Sequence, residues 1–268
     1  APELEQSDIY GDLSEYLSWP MSATAFSGND ISVMNKFSDR ELADLIPNYS
    51  KTDTGIGSFG DVSSMRGLTN TPFFSSASVI QYVDDVPSGN IFSHTTPLHA
   101  VDRVEILRGA QSTLFGVNSY AGVVNIVSKR PSNQLEGSIT SSYGNYDSKS
   151  FDSYIMGPLN DDNSLSFRVG AHYFERDGYL TNSFLGISPD NQDHLSGAGS
   201  IYWNISDNWE ISLSASYDDY NDGSSRLTSL ASDPFVLNSD IRGSSQQSAE
   251  IQSLRMAYEN DTLKFLSV

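Results

Sequence analysis

The chain has 268 residues, no cysteine, four histidines, and 34 acidic against 15 basic side chains, for a net charge of −19 at pH 7. The lack of thiols excludes disulfides, thiolate metal sites and cysteine nucleophiles. The acidic balance argues against nucleic acid as a partner, because phosphate binding needs a basic face. The histidines are scattered, so neither a metal site nor a cofactor is predicted. No apolar run approaches the ~18 residues of a membrane helix. This criterion does not detect a β-barrel, because its strands alternate apolar and polar residues.

Residues 1–131 mix strand-like runs with one short helix. Ser38-Asp-Arg-Glu41 has the spacing of a capping box, apolar residues follow at helical spacing, and Pro47 ends the pattern, so a helix is predicted here. Asp84-Asp85-Val86-Pro87 is predicted to be a turn. Strands are predicted from four apolar runs, at 21–26, 31–34, 78–83 and 101–107. This half of the chain is therefore predicted to be a small α+β unit.

A stretch rich in glycine and small hydroxyl residues separates two apolar runs between residues 104 and 131. It is not a phosphate-binding loop, because Gly116 is followed by Val117 and Asn118 and no lysine comes before Lys129. It also lacks the G-x-G-x-x-G spacing of a dinucleotide-binding turn. The glycines are therefore predicted to serve tight turns or close passage of the backbone.

Residues 132–268 alternate apolar and polar side chains, which is typical of strands with one apolar and one polar face. The alternation is strict at 165–173 and 209–218 and noisier at 135–144, 149–158, 195–205 and 248–259, with a seventh strand beginning near Thr262. Short polar turns alternate with long polar loops at 178–192 and 221–246, as in an outer-membrane barrel. A soluble β-sandwich is the alternative, although its strands usually have ~5–6 residues and these have ten or more.

The glycine-rich stretch carries a resemblance to a known family. Residues 101–116 and 121–131 resemble the end of the plug domain in TonB-dependent outer-membrane receptors. Upstream, Ser64-Met-Arg-Gly67 and the segment 82–87 look like two further plug motifs in the expected order, and 175–182 is similar to an early barrel segment of siderophore-type members. The chain departs from the family at Ala110, where proline is usual, and at Ala121, where glycine is usual, and no TonB box is identifiable.

The resemblance implies an α+β plug domain at 1–131, followed at 132–268 by an antiparallel β meander that forms the N-terminal strands of a transmembrane β-barrel. The barrel is expected to be incomplete, because such receptors have about 22 strands. The implied function is energy-coupled uptake of a ferric siderophore or a similar scarce nutrient across the bacterial outer membrane. The implied partners are this cargo, a TonB-type periplasmic energy transducer and outer-membrane lipid. A carbohydrate or cobalamin cargo, and a soluble secreted carbohydrate-binding module or polysaccharide-active enzyme, are the alternatives.

The resemblance also implies roles for individual residues. Arg66 and Arg108 are expected to couple the plug to acidic residues of the barrel wall. Plug loops on the outer side are expected to bind the cargo through their aromatic residues, since aromatic faces suit siderophore rings; these candidates are Phe73, Phe74, Phe92 and His94. Four glycines are expected to give the plug motifs their backbone geometry: Gly67, Gly109, Gly116 and Gly122.

No pattern in the sequence indicates catalysis. There is no G-x-S-x-G elbow and no ordered serine, histidine and aspartate set, so the protein is not expected to be an enzyme. The acidic run Asp218-Asp-Tyr-Asn-Asp-Gly223 is only superficially like a calcium loop, because Tyr220 occupies a ligand position. This run is predicted to lie in a solvated loop.

Overall fold

The computed structural model describes residues 22–34, 36, 38–53, 61–69, 77–88, 100–116, 119–224 and 233–268. The described residues between 22 and 128 form two small sheets with three short helices, here called the N-terminal unit. The described residues from 136 onwards form a seven-stranded antiparallel sheet, here called the wall. None of the helices in these ranges is long and apolar enough to cross a membrane.

The helices of the N-terminal unit are α1 (Gly28–Val33), α2 (Asp39–Ala43) and α3 (Ser112–Phe115). The helix predicted from the capping box is confirmed as α2, which has Ser38 as its N-cap and Glu41 bonded back to the Ser38 N–H at 3.2 Å. The strand predicted at 31–34 is wrong, because this segment belongs to α1. A second capping box between Ser27 and Asp30 begins that helix and outweighs the strand propensity of its β-branched residues.

Eight strands make up the two sheets of the N-terminal unit. They are β1 (Ser22–Ser27), β2 (Tyr49–Asp53), β3 (Asp61–Met65), β4 (Leu68–Thr69), β5 (Val79–Val83), β6 (Val86–Pro87), β7 (Val101–Arg108) and β8 (Gly122–Ser128). The larger sheet has the order β1-β7-β8-β5-β6 and the smaller the order β2-β3-β4. All neighbours in the larger sheet are antiparallel except β5 and β8. The strands predicted near 21–26, 78–83 and 101–107 are confirmed as β1, β5 and β7.

The core of the N-terminal unit lies on both faces of the larger sheet. On one face, Leu42 and Ile31 from the helices and Met65 pack against Ile106 and Val124. On the other face, a smaller cluster places Phe115 of α3 over β5, β7 and β8. The central strands β7 and β8 are therefore covered on both sides, which explains their nearly continuous apolar sequences.

The wall has the strand order β17-β16-β14-β13-β11-β10-β9, so β9 and β17 are its open edges. Its strands are β9 (Glu136–Gly144), β10 (Ser148–Pro158), β11 (Leu165–Arg176), β13 (Gln192–Ser206), β14 (Trp209–Gly223), β16 (Ser244–Glu259) and β17 (Lys264–Ser267). All six sequence runs and the seventh near Thr262 are confirmed as strands. The acidic run at 218–223 is not a solvated loop as predicted, because it forms the end of β14 and Asp222 is buried there.

The two faces of the wall differ as the alternation predicts. On β11, Val169 is 50% exposed while Arg168 and His172 are buried. On β14, Leu213 is 55% exposed while Ser212 is buried. The apolar side chains therefore point away from the N-terminal unit, and the polar side chains point towards it.

The two long loops of the wall meet each other. The loop after β11 contains β12 (Thr181–Asn182), the loop after β14 contains β15 (Val236–Leu237), and the two short strands pair in parallel. The tight turns of the wall, at 159–164, 207–208 and 260–263, join the other ends of the strands. The wall consequently has a long-loop rim and a tight-turn rim.

Candidate functional site

The residues predicted to bind the cargo, Phe73, Phe74, Phe92 and His94, lie outside the described residues. The four predicted glycines are described: Gly67, Gly109 and Gly116 have positive φ, and Gly122 lies where β8 begins. A Cβ on Gly122 would come within 2.4 Å of the Leu107 carbonyl oxygen, so this position requires close backbone approach.

The two arginines predicted to couple plug and barrel both contact the N-terminal unit. Arg108 donates from Nη1 to the Pro47 carbonyl oxygen at 3.0 Å and from Nη2 to the Ala23 carbonyl oxygen at 3.2 Å. Its buried Nε has no hydrogen-bond partner among the described residues. The guanidinium of Arg66 lies over Gly109, where an added Cβ would be 2.8 Å from Arg66 Nη1. An acidic wall partner for either arginine stays a prediction, since the wall described here has only seven strands.

The N-terminal unit and the wall are joined by ion pairs at the tip of the β5–β6 hairpin. The two turn residues, Asp84 and Asp85, have φ of +49° and +69°, which directs both carboxylates beyond the sheet. Asp84 Oδ2 lies 3.1 Å from Arg168 Nη2 of β11, and Asp85 Oδ2 lies 3.0 Å from Arg255 Nε of β16. Both arginines are about nine-tenths buried, so their charges require close partners.

Glu210 of β14 extends this set of charges. One of its carboxylate oxygens accepts from Arg255 Nη1 at 2.9 Å and the other accepts from Arg130 Nη1 at 2.6 Å. Burial lowers the pKa of Arg130, but Glu210, with smaller contributions from Tyr202 and Asp84, raises it, and the net pKa lies above its usual value. The guanidinium of Arg130 also lies over the ring of Tyr202, 4.7 Å from its centroid. The positive charges of Arg130, Arg168 and Arg255 are therefore balanced by the three carboxylates of this group, although the whole chain has a net charge of −19.

Arg168 has further contacts that fix its position. Its Nη1 donates to the Lys129 carbonyl oxygen at 3.1 Å and its Nη2 approaches Ser200 Oγ at 3.3 Å. Asp84 in turn accepts from the Ser128 N–H at 2.8 Å, at the end of β8. The hairpin tip, the end of β8 and the wall are therefore tied together by one network at the tight-turn rim.

A second charged cluster lies inside the N-terminal unit. Lys51 Nζ is 2.5 Å from Asp39 Oδ2 and 3.8 Å from Asp61 Oδ2, and Arg40 Nη2 is 2.7 Å from Asp61 Oδ1. Burial raises the pKa of Asp39 and of Tyr49, and Lys51 opposes the rise for Asp39. This cluster joins α2 to β2 and β3, which indicates a structural role. No group of histidine and acidic residues within the described ranges has the arrangement of a metal site.

At the long-loop rim, Asn182 joins the two long loops. Its side chain is fully buried, donates to the Ser239 carbonyl oxygen at 2.9 Å and accepts from the Phe184, Leu185 and Ser239 N–H groups. Beside it, the rings of Tyr146, Tyr179 and Phe235 form an edge-to-face series on the surface. The rim therefore presents a fixed aromatic surface built from three loops.

Sequence reasoning missed the residues that join the unit to the wall. The alternation at 165–173 puts Arg168 on the polar face of its strand without naming a partner, and Asp84 and Asp85 are predicted only as part of a turn. The signal that could have identified them is the scarcity of cations: a buried inward arginine needs an acid, and Asp84 and Asp85 are adjacent acids in a predicted turn.

The N-terminal unit and the wall are similar to parts of known proteins. Residues 17–123 match the family model of the TonB-dependent receptor plug domain. The pesticin receptor of Yersinia pestis is 27% identical over 228 residues, covering 83% of this chain and 32% of the relative. The ferric-pyoverdine BN7/BN8 receptor of Pseudomonas putida is 26% identical over 155 residues, covering 58% of this chain and 18% of the relative. The chain thus spans about a third or less of the length of these relatives.

Solved structures show the same fold. The crystal structure of the ferric yersiniabactin uptake receptor from Yersinia pestis superposes with a TM-score of 0.80 at 23% identity, covering 90% of this chain and 39% of that one. The structure of the FpvAI–pyocin S2 complex superposes with a TM-score of 0.74 at 16% identity, covering 91% of this chain and 32% of that one. The N-terminal unit corresponds to a plug, and the wall corresponds to part of a barrel.

Proposed function

We propose that the chain is part of a TonB-dependent receptor of the bacterial outer membrane and that it takes part in energy-coupled uptake of a ferric siderophore. In this proposal, residues 1–131 are the plug and residues 132–268 are the first strands of the barrel. The relatives named for ferric siderophores support this class of cargo over carbohydrate or cobalamin.

The observation that carries the proposal is the orientation of the wall around the plug. Val169 and Leu213 point outward, as expected where lipid meets the barrel, and Arg168 and Arg255 point inward to the plug. A soluble carbohydrate-binding module or polysaccharide-active enzyme would instead bury the apolar face of such a sheet.

We propose that Phe73, Phe74, Phe92 and His94 contact the cargo, and that the aromatic surface at the long-loop rim faces the outside of the cell. A TonB-type periplasmic transducer supplies the pull that rearranges the plug. The buried Nε–H of Arg108 donates to no partner within the described ranges, which supports an acidic partner from another part of the barrel. The cargo passes chemically unchanged, since the protein acts by binding and not by catalysis.

The test measures binding and uptake on the same cells. The full-length protein is expressed in an outer-membrane strain that lacks its own siderophore receptors, and iron-55-loaded siderophores are presented with and without an uncoupler of the proton gradient. Cargo binding is expected under both conditions and accumulation only without the uncoupler. Cyanocobalamin and maltodextrins serve as comparison cargos, and saturable uptake of either one in place of every ferric siderophore would refute the assignment.

A further inference from the structure

A cavity of about 120 Å³ lies between the β5–β6 hairpin and the wall. On the plug side it is lined by Val83, Val86 and Ser88. On the wall side the lining residues are mainly small and come from neighbouring positions of adjacent strands: Gly170, Ala198, Ser200, Ser214, Ser216 and Ser253. The volume is enough for several water molecules.

The small wall residues provide little side-chain surface for packing against the hairpin. Ser200, Ser214 and Ser253 lie side by side across β13, β14 and β16, and their short side chains form a shallow surface. Apolar side chains hold a neighbouring element through interdigitated packing, which a surface of this kind cannot provide. Among the described residues, the ion pairs between the hairpin and the wall lie at the hairpin tip, where Asp84 and Asp85 contact Arg168 and Arg255.

Each wall arginine at the tip has a second polar partner besides its aspartate. When Asp85 withdraws, Arg255 keeps Glu210 at 2.9 Å. When Asp84 withdraws, Arg168 keeps the Lys129 carbonyl oxygen at 3.1 Å. Removing the only ionic partner of a buried charge is strongly unfavourable, so Glu210 lowers the cost of separating Asp85 from Arg255. Separating Asp84 from Arg168 leaves only neutral partners and therefore has the larger cost.

We propose that the β5–β6 hairpin is the part of the plug that moves away from the wall, and that the Asp84–Arg168 and Asp85–Arg255 ion pairs hold it closed. Its displacement widens the cavity into a passage bounded by β11, β13 and β14. This inference rests on the proposed uptake function and deepens it by naming the segment that moves and the wall strands that line the route.

The test measures access to the cavity without any cargo. Ser214→Cys is introduced into the full-length protein in isolated outer membranes, and its labelling rate by a small, membrane-impermeant maleimide is measured against the protein without this substitution. The 268 residues contain no other cysteine, so the signal reports Ser214→Cys over that background. Asp85→Asn and Arg255→Gln are each expected to raise the labelling rate at least roughly fivefold, since a charge-assisted contact that limits opening is lost.

A double variant and a matched control give the experiment its specificity. Asp85→Asn combined with Arg255→Gln is expected to label no faster than the faster single variant, because both changes remove the same ion pair. Asp147→Asn is the control: Asp147 also has positive φ, at +52°, and also forms an ion pair, with Lys149 at 2.7 Å, but it lies at the long-loop rim. Its labelling rate is expected to be unchanged. Unchanged labelling in Asp85→Asn and Arg255→Gln at equal receptor levels would overturn the proposal.

A cross-link covers the case in which these variants fail to reach the membrane. Val86→Cys and Ser214→Cys both line the cavity, and a short bifunctional maleimide is used to join them. Siderophore binding is expected to persist while uptake is lost, and normal uptake in the cross-linked protein would overturn the proposal. The labelling result is independent of the cargo, so a failure of the hairpin inference and a failure of the proposed uptake function are distinguishable.

Discussion

Replacing Asn182 is expected to separate the two long loops of the wall. The Asn182 side chain makes four hydrogen bonds in a fully buried position, one donated to Ser239 and three accepted from backbone N–H groups. At a net value of about 1 kcal/mol each, with an added cost for the backbone groups left unsatisfied, Asn182→Ala should destabilise the joined loops by at least about 4 kcal/mol. This corresponds to an at least roughly 700-fold larger population of the open loops.

Limited proteolysis on intact cells measures this population, because cleavage follows the open form when opening and closing are fast. Ser183→Ala is the matched control, since Ser183 Oγ makes one exposed hydrogen bond to the Leu237 carbonyl oxygen at 3.2 Å in the same loop pair. Its cleavage rate should rise less than about fivefold. If Asn182→Ala is cleaved no faster than Ser183→Ala, the loops are not held together by Asn182 and the reasoning is refuted.

Three further experiments test the plug and the wall. Phe74→Ala combined with Phe92→Ala is expected to weaken equilibrium binding of the cargo by roughly 5- to 150-fold, because each aromatic contact contributes about 0.5–1.5 kcal/mol. Unchanged binding would contradict the proposal that these two side chains contact the cargo. Arg108→Ala removes the donors to the Pro47 and Ala23 carbonyl oxygens, and we expect it to change uptake or the protease resistance of the plug while cargo binding at the cell surface persists. Loss of cargo binding in a correctly inserted receptor would contradict the assignment of Arg108 to the interior of the plug. Leu213 lies on the outward face of the wall, which meets lipid in the proposed receptor, so Leu213→Arg should lower the amount of folded receptor, at a cost of about 2–4 kcal/mol near the bilayer midplane. The inward Ser216→Arg should be tolerated better, and equal levels of the two variants would contradict the assigned faces.

The wall was predictable because its signal is local. A strand that separates lipid from a polar lumen must alternate, and the sequence of β11 and β14 shows this without reference to any other part of the chain. The same period cannot reveal the pairing of β12 with β15, since each has only two residues and the two lie in loops more than fifty residues apart. The strand wrongly predicted at 31–34 has a related cause, because four residues are too few to distinguish a strand from a helix by period.

The contacts between plug and wall could not be predicted from the chain for a different reason. Asp85 and Arg255 are 170 positions apart, and their contact depends on the turn at Asp84 and Asp85 and on the position of β16 in the wall. The family resemblance predicts arginines on the plug and acidic residues on the wall. The ion pairs between Asp84 or Asp85 and the wall have the opposite arrangement, with carboxylates on the plug and arginines on the wall. Because the wall arginines are buried and inward, each limits which plug surface can lie against it, so these two side chains fix the position of the hairpin more tightly than the small residues around the cavity do.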